Sequence, residues 1–207
     1  MRRLTAFTRT LHLMCILSTA ACAPGPATLD QAPAKPIDTA DLLNDGASLF
    51  ALDITMIDHA GRSVTLRDLA GHATVASMVY ASCTSICPRV TDEMQAIERQ
   101  LVAMGRSDVR FVLFSLDPSR DTPEAWSRFA AAHKLDLTRW RLLTPTDEGL
   151  RDLAAVLGLQ YATDANGEIA HTALMAAVDP LGVVQHRQVG LGQDRRALVA
   201  AVARTPD

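Results

Sequence analysis

The sequence predicts an α/β fold: one mixed sheet with helices on both faces. Three observations carry this. Apolar runs at 74–80 and 109–116 have the length and continuity of buried strands, and each is followed by a segment with helix-start signals. The last third reads as two strands joined by a turn, then a helix, which adds a hairpin to the alternating first part. Finally, 207 residues with 48% apolar and 21% charged side chains suit one compact domain with extensions.

The extensions lie at the start. Met1-Arg2-Arg3 and Arg9 form a positive region, 11–21 is apolar, and small residues surround Cys22, the pattern of an export signal over 1–22. The apolar run is shorter than the roughly 18 residues of a membrane-spanning helix. Ser18-Thr19-Ala20-Ala21-Cys22 resembles a bacterial lipoprotein cleavage box, with Cys22 as the lipidated first residue of the mature chain. Thr19 stands where that box usually has leucine, so ordinary signal cleavage and an uncleaved anchor stay open. All three place the domain outside the cytoplasm, on the periplasmic side of a bacterial inner membrane. Residues 23–48 are rich in proline and alanine without a sustained period, the composition of a tether. Residues 49–207 are left as the folded domain. The signal holds three arginines and no acid, so the remainder is more acidic than the whole chain's net −3, and no basic patch points to nucleic acid.

Within the domain, 50–56 alternates as a half-buried strand, Asp58-His59-Ala60-Gly61 is a turn, and 64–66 is a short return strand. The strand at 74–80 leads into a cysteine loop. Pro88 suits a first helical position, so a helix is predicted from Pro88 to Met104 with Cys87 near its N-cap. After the strand at 109–116, Asp121-Thr122-Pro123-Glu124 supplies a cap, a proline and an acid for a helix ending near His133. Residues 140–143 read as a strand, and 146–157 as a helix stopped by Gly158. Asn166-Gly167 is a tight turn; 171–178 and 183–189 are strands joined by Asp179-Pro180-Leu181-Gly182; 193–204 is the closing helix. This order suits a thioredoxin-like fold, and no internal repeat interrupts it.

The chemistry concentrates in Val79-Tyr80-Ala81-Ser82-Cys83-Thr84-Ser85-Ile86-Cys87-Pro88. Of four cysteines, Cys15 lies in the signal and Cys22 at its end, so Cys83 and Cys87 are the pair of the folded body. Four-residue spacing sets both on one side of a helical turn, and a helix N-terminus favours thiolate. A structural disulfide there closes too short a loop to stabilise much. A closed zinc site needs four ligands, and the domain has no second cysteine pair. A redox dithiol and a copper(I) site of two thiolates and one imidazole remain. Among the histidines, His59 and His72 fall in polar turns, His133 ends a helix, and His186 lies in a polar stretch of strand. His171 opens an apolar strand after a turn, where a side chain reaches a neighbouring strand end; by residue chemistry alone it is either a ligand or an ordinary strand-end histidine.

The run from Val79 to Pro88 resembles the Cys-x-x-x-Cys-Pro signature of the Sco/SenC family, thioredoxin-like copper-handling proteins of the bacterial envelope and mitochondrial inner membrane. Ser115-Leu116-Asp117-Pro118-Ser119-Arg120-Asp121-Thr122-Pro123-Glu124 is similar to that family's Asp-Pro-x-Arg-Asp-Thr-Pro-Glu block. His171-Thr172-Ala173-Leu174-Met175, followed by Val178-Asp179-Pro180-x-Gly182, resembles the segment holding its ligand histidine. The resemblance implies one copper ion per chain, Cu(I) or Cu(II), held by Cys83, Cys87 and His171. It implies delivery to the binuclear copper centre of cytochrome c oxidase, with a copper-receiving oxidase subunit and a thiol reductant or other copper chaperone as partners. Asp117 and Asp121 read as turn and cap residues, and Met175, Trp126 and Trp140 as core.

A rival reading uses the same sulfurs. In a thiol-disulfide oxidoreductase one cysteine attacks a target disulfide and the other resolves the mixed intermediate, so Cys83 and Cys87 are a catalytic dithiol that cycles through their own disulfide. A chaperone turns over no substrate, whereas that enzyme does. A copper or redox sensor built on the same atoms is a third reading. Peroxidases of this fold resemble one another in a Pro-x-x-x-Thr-x-x-Cys loop, and 74–82 contains no proline.

Overall fold

The computed structural model describes residues 48–165 and 167–204. Along them run β1 (Thr55–Asp58), β2 (Ser63–Thr65), β3 (Thr74–Val79), α1 (Ile86–Ala103), β4 (Arg110–Ser115), α2 (Pro123–His133), β5 (Trp140–Pro145), α3 (Asp147–Leu157), β6 (Tyr161–Thr163), β7 (Ile169–His171), β8 (Leu174–Val178), β9 (Val184–Val189) and α4 (Arg196–Ala203). Seven strands form one sheet in the order β2-β1-β5-β4-β3-β8-β9, and β6 and β7 form a separate two-stranded ribbon. β3, β4 and β5 are parallel, while β1, β2, β8 and β9 join antiparallel.

Every residue of β3 and of β8 is buried, as continuous apolar runs demand when both faces of a sheet are covered. Two consecutive residues of β9 show which helix covers which face. Gln188 donates to Glu93 of α1, and Arg187 donates to the carbonyls of Val156 and Leu157 at the end of α3. Side chains alternate along a strand, so α1 and α3 lie on opposite faces. On the α1 side Trp140 stacks on Phe111 at 5.0 Å and donates its indole N–H to Glu98. Trp126 of α2 reaches Thr144 of β5 in the same way, 2.8 Å away. Both tryptophans are core, as expected, and each finds the polar partner a buried indole needs.

α2 and α3 begin and end by the expected chemistry. Thr122 and Thr146 cap them through their hydroxyls, Pro123 opens α2, and Gly158 closes α3 with φ of 77°. Elsewhere local bonds redirect the chain. Residues 50–56 do not form one strand: Leu49–Ala51 is a 3₁₀ turn, because the Ser48 hydroxyl accepts from Phe50 N–H, and β1 begins only at Thr55. α1 starts at Ile86 with Ser85 in the N-cap position, so Cys87 sits inside its first turn and Pro88 is its third residue. That position is tolerated because the first four helical N–H groups have no intrahelical acceptor. Residues 171–178 do not form one strand either, since β7 ends at His171 and β8 starts at Leu174. The β6–β7 ribbon escapes periodicity because its three-residue strands are too short to show any. Within its turn, Gly167 takes φ of 80°, and Asn166 lies outside the described residues.

The first turn is seated on the β8–β9 connection: Leu49 N–H donates to Gly182 O, and Ser48 pairs with Val183. Gly182 has φ of +84°, and a Cβ there would lie 2.5 Å from Ser48 Oγ and 2.7 Å from the Phe50 ring. Gly71 has a similar φ of +83° with open space around it. Gly71→Ala is therefore expected to cost about 1–2 kcal/mol, the backbone term alone, and Gly182→Ala about 3 kcal/mol or more through the added clash. Urea unfolding of the two variants against the parent checks the difference; equal losses would contradict the seating.

Candidate functional site

The cysteine loop leaves the carboxyl end of β3, where parallel strands of an open sheet commonly present ligand sites. Leu116 N–H still donates to Val79 O beyond the end of the ladder, and Cys83 N–H donates to Tyr80 O, which turns the chain toward α1. Ala81 N–H is held by Asp121 Oδ1 at 2.9 Å, and the other oxygen of that carboxyl accepts from Ser115 Oγ at 2.6 Å. Asp121 is thus a brace of the cysteine loop and not a helix cap, a role that belongs to Thr122. Nothing in the sequence near Asp121 announces a bond to a residue 40 positions away. Asp117 does make the expected turn, accepting from Ser119 and Arg120.

His171 arrives from the other direction. β8 runs antiparallel to β3 with Ser77 opposite Met175, so the residues just before β8 meet those just after β3. The imidazole lies edge-on to Tyr80, ring centroids 6.2 Å apart, and its Nε2 is 3.5 Å from Cys87 Sγ. Nδ1 lies 3.1 Å from Thr172 O, and a carbonyl only accepts, so Nδ1 carries the proton and the Nε2 lone pair faces the sulfur. Cys87 N–H in turn donates to Cys83 Sγ at 3.4 Å, and Ser85 Oγ lies 3.7 Å from the same sulfur. Cys83, Cys87 and His171 are therefore brought together, with Cys87 in the middle. Met175 packs in the core, and Cys22 lies outside the described residues.

The two thiols are unequal. Burial pushes Cys83 up, but the Cys87 side chain, the Cys87 and Ser85 N–H groups and the Ser85 hydroxyl outweigh it and bring it down to about 7. Burial, then the bond to Cys83, push Cys87 well above the ordinary thiol range. Burial and a bond to Cys83 also hold the Tyr80 phenol up at about 12. Burial keeps the His171 imidazole neutral against the pull of the Thr172 carbonyl, and burial raises Asp121 to about 6 against the bonds from Ser115 and Ala81. Cys83 is 7% exposed and opens on a cleft of about 400 Å³ lined by Arg120, Arg128, Phe129 and His133, whereas Cys87 is fully buried. Such a pair supports nucleophilic attack by one sulfur and resolution by the other.

It also suits a soft metal. Two donors about 2.0–2.3 Å from a shared first-row ion, at trigonal or tetrahedral angles, lie about 3.5–3.7 Å apart, and Cys87 Sγ and His171 Nε2 have that spacing. Among the described residues no three His, Cys, Asp or Glu side chains already close around one point.

A mixed sheet with a dithiol spanning the loop after an inner strand and the first turn of the following helix, and with an imidazole beside the second thiol, defines a thioredoxin-like protein with a dithiol–imidazole centre. A model of the SCO1/SenC family matches residues 44–205, and the chain belongs to that family. It is similar to a SCO1 protein homolog of Bacillus subtilis, 34% identical over 90 residues that cover 44% of this chain and 46% of that one, so the match spans about half of the relative. Two solved structures share the fold. A SCO1/SenC family lipoprotein from Bacillus anthracis superposes with TM-score 0.65 at 24% identity, covering 74% of this chain and 93% of that one. Arabidopsis thaliana ScoI with copper bound superposes with TM-score 0.63 at 21% identity, covering 72% and 93%. Among the described residues no helix is long and apolar enough to cross a membrane.

Two outcomes follow from this geometry. Asp121→Ala strands Ala81 N–H and Ser115 O–H and is expected to cost about 2–3 kcal/mol in denaturant unfolding, while Asp121→Asn, which still accepts from Ala81, costs less. Iodoacetamide is expected to modify Cys83 and spare Cys87 in the folded protein. Its rate should fall about tenfold per pH unit below pH 7, where Cys83 protonates, and level off above it, as mass spectrometry across pH 5–9 reads directly. Preferential labelling of Cys87 would reverse the assignment of the two sulfurs.

Proposed function

We propose that this chain is an exported, membrane-tethered copper metallochaperone that binds one copper ion through Cys83, Cys87 and His171 and delivers it to the binuclear copper centre of cytochrome c oxidase. The observation that carries the reading is the 3.5 Å approach of His171 Nε2 to Cys87 Sγ, with Nδ1 turned to the Thr172 carbonyl. Disulfide exchange has no need of that imidazole, whereas a three-donor site does. Two sulfurs and one nitrogen are a soft, low-coordinate set that favours copper over harder ions. The Sco family is one of cytochrome c oxidase assembly proteins, and its Arabidopsis thaliana member binds copper. The lipoprotein relative supports anchoring through Cys22.

Release proceeds by ligand exchange. A thiolate of the target enters through the cleft beside Cys83, forms a bond to the ion and displaces Cys83 first, because that sulfur borders the cleft and is the better stabilised as a free thiolate. A second target ligand, losing its proton as it binds, displaces Cys87, which leaves as a thiol with that proton, and the ion parts from His171 Nε2 to leave a neutral imidazole. No electron changes hands, so copper keeps its oxidation state. Loading requires the dithiol, and the compartment is oxidising, so a membrane-side reductant acts before copper does.

The oxidoreductase reading draws support from the asymmetry of the thiols. Copper titration of the reduced protein separates the two. Cys83→Ser and Cys87→Ser are each expected to abolish tight binding, and His171→Ala to weaken Cu(II) more than Cu(I), since the softer ion keeps both sulfurs. Equal copper affinity in the parent and both cysteine variants would remove the chaperone. So would an apo protein that catalytically reduces a disulfide-containing oxidase copper domain while copper neither protects its dithiol nor transfers.

A further inference from the structure

We propose that Arg120 is a positioning residue for His171, clasping the β6–β7 ribbon that carries the imidazole to the segment that holds the cysteine loop. Arg120 follows β4 in the segment 116–122. Its Nε donates to Asp117 Oδ2, and its Nη2 reaches 47 residues along the chain to donate to Gly167 O at 2.9 Å, at the turn of the ribbon. The anchor end is rigid. Asp117 is 6% exposed, accepts from Ser119 Oγ, donates its own N–H to Ser115 Oγ, and its carbonyl accepts from Arg120 and Asp121 N–H. A planar guanidinium with several donors in one fork binds both partners in a set orientation, which a flexible ammonium does not.

The ribbon needs such a clasp. Its strands have three residues each and lie outside the main sheet, and a two-stranded hairpin of that size has little stability of its own. Between it and the 116–120 segment runs a cleft of about 460 Å³, lined by Leu116, Arg120, Tyr161, Gly167 and Ile169. Arg120 spans a gap that side-chain packing does not fill. His171 pairs with Tyr161 at the ribbon's far end, so a shift of the ribbon carries the imidazole with it. The neighbouring residue, Asp121, fixes Ala81 of the cysteine loop. Consecutive side chains of one segment thereby hold the imidazole and the thiols in a common frame.

The copper part of the test rests on the reading above, and the first part does not. In the apo protein, Arg120→Ala is expected to speed amide hydrogen exchange at 161–163 and 169–171 by about three- to tenfold, leaving β3 and α1 unchanged, because a half-exposed ion pair contributes little to global stability. Arg128→Ala, an exposed arginine of α2, is the control and should leave the ribbon at parent rates. With Cu(II), Arg120→Ala should lower affinity about three- to tenfold, and the loss should vanish when His171 is already alanine, the non-additivity expected of two residues acting through one interaction. Unchanged exchange in the ribbon overturns the proposal, and so do losses that add in the double variant. If the parent binds no copper, the chaperone reading fails and the exchange rates alone decide the clasp.

Discussion

The antiparallel seating of β8 on β3 is the constraint on which the site depends. It opposes Ser77 to Met175, and a buried hydroxyl pins it: Ser77 Oγ donates to Leu174 O at 2.6 Å in the interior of the sheet. Strand pairing has a period of two, so a slip of one residue would exchange the side chains of β8 between two buried faces that they fill differently and strand that hydroxyl. Within this register the residues leaving β3 and those entering β8 share one end of the sheet. The dithiol and the imidazole, 84 residues apart, meet there as a consequence of strand direction.

Once they meet, burial divides the labour. Cys87 is fully buried and His171 half-buried, and desolvation there keeps a thiol protonated and an imidazole neutral. Cys83 lies at the mouth, where surrounding donors stabilise its thiolate. A centre built this way is chemically ambivalent. The Cys83 thiolate at the cleft is a nucleophile toward a disulfide and an exchangeable ligand toward a metal, and the two uses exclude each other at any moment because they draw on the same electron pairs. The imidazole tilts the balance toward metal.

The segment between β4 and α2 holds this arrangement in place at modest cost. Ser115, Asp117 and Asp121 satisfy one another and the backbone within a few residues, which makes the loop stiff without large apolar burial. Asp121 remains buried because two donors meet its oxygens, and a carboxyl so placed orients the cysteine loop with a directionality that packing lacks.

Much of this was legible in the residues themselves. Continuous apolar runs marked β3 and β4, cap and stop residues marked α2 and α3 almost to their ends, and the four-residue cysteine spacing marked the dithiol, because each is a local property of backbone geometry and side-chain chemistry. The lipoprotein-like box at Cys22 is likewise a matter of sequence. Local chemistry misjudged the places where partners are distant. The strand expected at 171–178 breaks at Thr172 and Ala173, because one half pairs with β6 and the other with β3. Asp121 looked like a cap because its bonds to Ala81 and Ser115 are tertiary, and Arg120 gave no sign of its reach to Gly167. By itself the sequence determined the two thiols, the imidazole and the elements that carry them; the tertiary structure decided which sulfur borders the cleft, which imidazole nitrogen faces Cys87 and what holds them together. Those depend on burial and on contacts between strand ends, which exist only once the sheet has formed.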